Sequence, residues 1–102
     1  MSNAQPAIML VVRNLKSNLP FEELKRRYEE RMPQFRALPG LIQKYYSRDP
    51  QTGEIAGIYF WESEEALQAY LESDLRKTIP SAYELIEAPV IERYDLVDVL
   101  RR

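Results

Sequence analysis

Histidine and cysteine are both absent from this 102-residue sequence, and the two absences exclude much of the usual chemistry of small enzymes. Without cysteine there is no disulfide, no thiolate metal ligand and no thiol nucleophile, which fits a reducing compartment. Without histidine there is no imidazole acid or base and no histidine ligand for haem or zinc. Any catalysis must therefore use tyrosine, tryptophan, asparagine, arginine, a carboxylate or the substrate itself.

An excess of positive charge and long apolar runs are also missing. Fourteen basic and 16 acidic residues give a net charge of −2, so we expect no nucleic-acid partner. No apolar run approaches the roughly 18 residues that span a bilayer, and the N-terminal segment MSNAQPA lacks the basic residues of a signal peptide. We therefore expect a cytoplasmic protein with no membrane partner, comprising a disordered tail (residues 1–6) and a single domain (residues 7–102).

Apolar segments and turn signals alternate in the order strand, helix, strand, strand, helix, strand. The predicted strands cover residues 7–15, 41–47 and 55–61, and a last one lies within 83–100. A first helix follows Pro20 and ends at Gly40, with a kink or break expected between Glu29 and Pro33 because proline lacks a backbone donor. Ser63 caps the second helix.

This order predicts an α+β, ferredoxin-like βαββαβ fold, a four-stranded antiparallel sheet with two helices on one face. Both faces of that sheet are apolar, since Ile8 and Leu10 alternate with Met9 and Val11. The third strand likewise sets Ile55, Tyr59 and Trp61 against Ala56, Ile58 and Phe60. Two helices cover only one face, so we expect a homodimer that stacks the uncovered sheet faces of two copies. The alternative is a C-terminal tail folded back over the sheet, for which few residues remain.

Two stretches of the sequence resemble a known family. The segments LPGLIQKYY and AGIYFWESEEALQAYL are similar to YdhR-like, antibiotic-biosynthesis-monooxygenase-like proteins of the dimeric α+β barrel superfamily. The resemblance implies a dimeric α+β barrel with an apolar cavity between the helices and the sheet of each subunit. If the protein is an enzyme, the resemblance favours a monooxygenase that acts on a small aromatic compound with no cofactor. The alternative function is a small-molecule binding or sensing module of the same fold, without catalysis.

The haem-degrading branch of this superfamily is disfavoured. Its pattern combines an asparagine on the first strand, a tryptophan at the end of the third and an iron-binding histidine in the second helix. Asn14 and Trp61 match the first two, but the position of the histidine falls near Pro80. A centred register also separates Asn14 from Trp61 by about five residues, or ~16 Å, so only a staggered register would bring them together.

The candidate site residues are an amide, aromatic side chains, a glycine and an arginine. The predicted catalytic residues are Asn14, Tyr59 and Trp61, and the predicted substrate-binding residues are Arg13, Tyr28, Gly57 and Tyr70. Amide and hydroxyl groups would stabilise negative charge on a substrate, and an indole would stack on its ring. Four of these residues also have a purely structural interpretation. Asn14 would form a turn, Trp61 would pack in the core or the dimer, Arg13 would form an ion pair, and Gly57 would mark a bulge or a close approach. No general base is apparent.

Overall fold

The computed structural model describes residues 5–101 and has the predicted α+β architecture. The strands are β1 (Ile8–Leu15), β2 (Leu41–Arg48), β3 (Ile55–Trp61) and β4 (Val90–Asp95). The helices are α1 (Phe21–Arg36), α2 (Glu64–Leu71) and two single turns, α3 (Asp74–Lys77) and α4 (Ile79–Ala82). All strand pairs are antiparallel in the order β2-β3-β1-β4, which confirms the ferredoxin-like fold. Residues 1–4 of the predicted tail lie outside the described residues.

Local hydrogen bonds explain where two of the elements begin. The Ser63 hydroxyl accepts a hydrogen bond from the Ala66 amide at 3.1 Å, so it caps α2 as predicted. Between β2 and β3, an Asp49 carboxylate oxygen accepts hydrogen bonds from the amides of Gln51 and Thr52. The chain therefore turns sharply after β2, and this turn sets the register of the β2–β3 hairpin.

The structure narrows two of the predictions. Helix α1 continues through Pro33 to Arg36, so of the kink or break expected between Glu29 and Pro33 the break does not occur. Proline removes only one hydrogen bond of the helix, and Leu24 and Phe35 are buried on either side of it and hold both parts of α1 on the sheet. The last strand begins only at Val90, after the prolines and single-turn helices that occupy the preceding segment.

The helices cover one face of the sheet and leave the other open. The covered face buries alternate residues of the two central strands, namely Ile8, Leu10, Val12, Ile55, Tyr59 and Trp61. The opposite side, here called the uncovered face, carries Met9, Val11, Tyr45, Ile58, Phe60, Val90 and Tyr94. On it, Tyr45 is 57% exposed and Tyr94 is 46% exposed. Within residues 5–101, no helix is long and apolar enough to cross a membrane.

Candidate functional site

Aromatic side chains fill the centre of the space between the helices and the sheet. Trp61 is completely buried, and its ring stacks on Tyr70 at 5.1 Å and on Tyr59 at 6.3 Å between centroids. The Tyr70 hydroxyl donates a hydrogen bond to the Tyr59 hydroxyl at 3.2 Å. Phe35 packs against both tyrosines from α1. Three of the predicted site residues, Tyr59, Trp61 and Tyr70, therefore lie together in one buried cluster.

Gly57 makes room for this cluster. A Cβ atom at Gly57 would lie 2.9 Å from Cε1 of Tyr59, so the tyrosine ring occupies the space that the missing side chain leaves. Gly57 pairs regularly with Val12 and with Tyr46, and the irregular pairing lies instead on β1, before Leu15. Of the two structural interpretations of Gly57, the close approach is correct, and the approaching group is a side chain of the same strand.

Asn14 and Arg13 lie at the other end of the sheet from Trp61. Trp61 pairs with Ile8, and Asn14 is six positions further along β1, which corresponds to ~20 Å. Asn14 has a φ of 61°, a left-handed conformation that asparagine tolerates better than most residues. The Arg13 guanidinium forms an ion pair with Glu92 at 2.7 Å. The register therefore does not bring Asn14 and Trp61 together.

Tyr28 occupies a third position, at the β2 edge of the sheet. Its ring stacks on Tyr46 with 4.4 Å between centroids and 15° between planes. Burial raises the pKa of Tyr46 to about 12. Burial also raises the pKa of Tyr70 and of Tyr83 to about 12, and it raises the pKa of Tyr59 well above its ordinary value. At neutral pH these hydroxyls are protonated and serve as hydrogen-bond groups rather than as bases.

A lysine amine is the chemical group that sequence analysis missed. Lys44 extends from β2 toward the helices, and its Nζ lies 3.5 Å, 4.3 Å and 4.6 Å from the ring centroids of Phe35, Tyr46 and Tyr59. No carboxylate among the described residues forms an ion pair with it. Burial and, second, repulsion from Arg31 lower the pKa of Lys44 to about 7. A substantial fraction of this amine is therefore neutral at physiological pH.

The hairpin register contains the signal that would have located Lys44. Arg48 pairs with Ile55, and counting back along β2 from that pair places Lys44 opposite Tyr59. Residues paired across an antiparallel sheet share a face, so Lys44 must point inward wherever Tyr59 does. The alternation within β2 alone does not reveal this, because adjacent tyrosines, Tyr45 and Tyr46, occupy both faces.

Two cavities open around the aromatic cluster. The first, here called the helix–sheet cavity, has a volume of about 230 Å³ and is lined by Leu10, Val12, Tyr70, Leu71, Arg76, Lys77, Ile79, Pro80, Ala88, Pro89 and Ile91. The second, here called the α1–β2 groove, has a volume of about 380 Å³ and is lined by Met32, Phe35, Arg36, Leu41, Ile42, Gln43, Lys44 and Tyr46. Of the predicted site residues, only Tyr70 lines the helix–sheet cavity.

The described part of the chain contains no group of three or more carboxylates placed to hold a metal ion.

A protein-family model described as "Putative mono-oxygenase ydhR" matches residues 10–95. No curated protein matches the chain.

Solved structures with the same fold include three bacterial or archaeal proteins. A putative antibiotic biosynthesis monooxygenase from Caulobacter crescentus CB15 has a TM-score of 0.73 and 22% identity, over 93% of this chain and 94% of that chain. SnoaB, a cofactor-independent oxygenase from Streptomyces nogalater, has a TM-score of 0.75 and 13% identity, over 96% and 100%. A conserved protein from Methanosarcina mazei Go1 has a TM-score of 0.73 and 22% identity, over 88% and 92%. At these identities the similarity shows the fold alone.

Proposed function

The chain belongs to the family described as "Putative mono-oxygenase ydhR", and on that basis we propose that it oxidises a small aromatic compound with molecular oxygen, without a cofactor. The observation that carries the proposal is the composition of the helix–sheet cavity. Its walls are mostly apolar, Tyr70 is one of its lining residues, and two cations, Arg76 and Lys77, also line it. Apolar pockets with few polar groups are typical sites for small aromatic ligands.

These groups suit a substrate that becomes an anion before it reacts with oxygen. Arg76 and Lys77 favour a phenolate or enolate over its neutral form, so they lower the pKa of the substrate's acidic proton. The substrate anion then reduces oxygen itself and forms a carbon hydroperoxide. Loss of water leaves a carbonyl: a ring CH₂ and O₂ become C=O and H₂O, with no external reductant. In this scheme the solvent accepts the acidic proton of the substrate, so no general base from the protein is required.

The predicted site residues then have different roles. Tyr70 contacts the substrate, while Tyr59 and Trp61 are positioning residues, because they hold the Tyr70 ring and its hydroxyl from behind. Arg13 and Asn14 lie away from this cavity, next to an open surface groove at the β2–β3 turn. Tyr28 and Gly57 support the aromatic packing through Tyr46 and Tyr59.

Filling the helix–sheet cavity tests the proposal. Ile91→Trp places an indole where Ile91 now lines the cavity, and Ile86→Trp is the matched control because Ile86 is exposed and lies outside it. Oxygen uptake is measured with a series of one- to three-ring phenols and anthrones. We expect Ile91→Trp to lower uptake at least tenfold and Ile86→Trp to leave it unchanged. Equal uptake by both variants would place the chemistry elsewhere.

Native mass spectrometry of the purified protein separates catalysis from simple binding. A turnover enzyme should show substrate converted to a product 14 mass units heavier, because the oxidation of a CH₂ to a carbonyl replaces two hydrogens by one oxygen. A bound aromatic molecule that persists unchanged in air, together with no oxygen uptake on any of the phenols and anthrones, would instead establish a binding or sensing module.

We also propose that two copies associate through the uncovered face. Its apolar side chains lie on all four strands, and a water-exposed patch of this kind is unusual on a monomer. Ile58→Lys places a charge near the centre of this face, whereas Val97→Lys changes a residue that is 94% exposed beyond β4. In sedimentation at micromolar concentration we expect a dimer for the native protein and for Val97→Lys, and a monomer for Ile58→Lys. A monomeric native protein would disprove the dimer.

A further inference from the structure

The α1–β2 groove is lined by a lysine, Lys44, that the oxygenase proposal does not use. We propose that Lys44 is a nucleophile that forms an imine with a small aromatic aldehyde bound in this groove. The inference is independent of the oxygenase proposal, since the groove and the helix–sheet cavity share no lining residue. It rests on the location of the amine, on its electrostatic surroundings and on the shape of the groove.

The groove has the size and the walls that a ring compound requires. Its volume of about 380 Å³ lies within the range of small-molecule sites. Met32, Phe35, Leu41 and Ile42 provide apolar walls, and Tyr46, whose ring already stacks on Tyr28, completes the lining on the β2 side. Lys44 lies at the aromatic end, with its Nζ 3.5 Å from the centroid of Phe35.

Burial and the nearby Arg31 favour the neutral, nucleophilic form of Lys44 and oppose the attraction of the three aromatic rings for the ammonium. From α1, Arg31 repels the ammonium form of Lys44, and Arg36 lines the same groove. From β2 and β3, Lys44 faces Tyr46 and Tyr59, whose hydroxyls remain protonated at neutral pH because burial raises their pKa values. Lysine amines that are desolvated, or placed beside another cation, are the ones that act as nucleophiles at neutral pH. Lys44 satisfies both conditions.

Arg36 gives the groove a preference among aldehydes. Arg36 lines the groove, and no carboxylate among the described residues forms an ion pair with it. An aldehyde whose ring also carries a carboxylate would pair with Arg36 while its carbonyl reaches Lys44. The favoured ligand is therefore an aromatic aldehyde with an acidic ring substituent.

The reaction needs no oxidant, reductant or metal. The Nζ lone pair attacks the carbonyl carbon, and the C=O π electrons move to oxygen. A proton passes from nitrogen to that oxygen to give a carbinolamine. Loss of water then forms the C=N bond, so aldehyde and amine give imine and one water. The neutral amine is consumed only in the first step, which is where the protonation state of Lys44 determines the rate.

Reductive trapping tests the proposal on the unmodified protein. The protein is incubated at pH 7 with 4-carboxybenzaldehyde and cyanoborohydride, and its four lysines, Lys16, Lys25, Lys44 and Lys77, are assayed by peptide mass spectrometry. An ordinary lysine with a pKa near 10.4 is less than about 0.1% neutral at pH 7. We therefore expect Lys44 to be modified at least tenfold faster than Lys25. Equal rates, or a slower rate at Lys44, would overturn the inference.

Lys44→Arg, with Lys25→Arg as its control, tests the chemistry, and Arg36→Gln tests the binding preference. Lys44→Arg should abolish the fast modification and Lys25→Arg should leave it unchanged, with circular dichroism confirming that both are folded. Arg36→Gln should reduce the preference for 4-carboxybenzaldehyde over benzaldehyde, each rate being divided by that of N-acetyl-lysine with the same aldehyde. A fast reaction at Lys44 without this preference would support Lys44 as the nucleophile and would contradict the preference for an acidic aldehyde.

Discussion

Replacing Trp61 with alanine is expected to lower the free energy of unfolding by about 3–5 kcal/mol, the cost of removing a large aromatic side chain from a packed core. Trp61 is completely buried, and its ring stacks on both Tyr59 and Tyr70. Neither neighbour can collapse into the space, because each is held by the other's hydroxyl and by Phe35. The loss is a large share of the roughly 5–15 kcal/mol that stabilises a typical domain.

Urea denaturation at one fixed protein concentration measures this loss. Ile86→Ala serves as the control, since Ile86 is 61% exposed, and its effect should stay within about 0.5 kcal/mol. Trp61→Phe is a second comparison, because the buried Nε1 of Trp61 has no hydrogen-bond partner among the described residues. Phenylalanine keeps part of the packing and removes that unpaired donor. A loss for Trp61→Phe as large as that for Trp61→Ala would contradict this account of the cluster.

The element order and the two faces of the sheet were predictable because they depend on local chemistry. Ser63 caps α2 through its own hydroxyl, and Asp49 closes the β2–β3 turn through its own carboxylate. The alternation of Ile8 and Leu10 with Met9 and Val11 likewise assigns each residue of β1 to a face without reference to any distant residue. Signals of this kind are contained within a few consecutive positions.

The candidate site was less predictable because it depends on register and on filled volume. Whether Asn14 meets Trp61 is decided by the pairing of Trp61 with Ile8, which no local pattern fixes. The alternation of residues along β3 places Gly57 and Tyr59 on the same face of the sheet. It does not reveal that the Tyr59 ring occupies the space over Gly57. The same limitation concealed Lys44, whose position becomes clear only when β2 is paired with β3.

Lys44 also makes the stability of the protein depend on pH in an unusual direction. In the unfolded chain this amine keeps its proton up to its ordinary pKa of 10.5, whereas in the folded protein its pKa is about 7. Between these values the unfolded state binds more protons, so the free energy of unfolding must rise with pH. Two pH units above the folded pKa correspond to about 2–3 kcal/mol of added stability. The attraction between the ammonium and its aromatic neighbours makes the gain smaller.

The pH range from 6 to 9 isolates this effect, because a chain without histidine or cysteine has few other groups that titrate there. We expect stability to increase by about 1–3 kcal/mol over that range, measured by urea denaturation at each pH. Above about pH 10 it should fall again, since Tyr46, Tyr70 and Tyr83 keep their protons in the folded state while the unfolded chain loses them.

Lys44→Met should remove the rise between pH 6 and 9, and it should be more stable than the native protein at pH 6, where the native protein holds a desolvated ammonium. Lys25→Met, at an exposed position of α1, should keep the full rise. The comparison is direct because methionine preserves much of the length of the lysine stem and can pack against the same three rings. Parallel pH profiles for the native protein and Lys44→Met would show that the amine is charged throughout this range, and the nucleophile inferred in the α1–β2 groove would lose its physical basis.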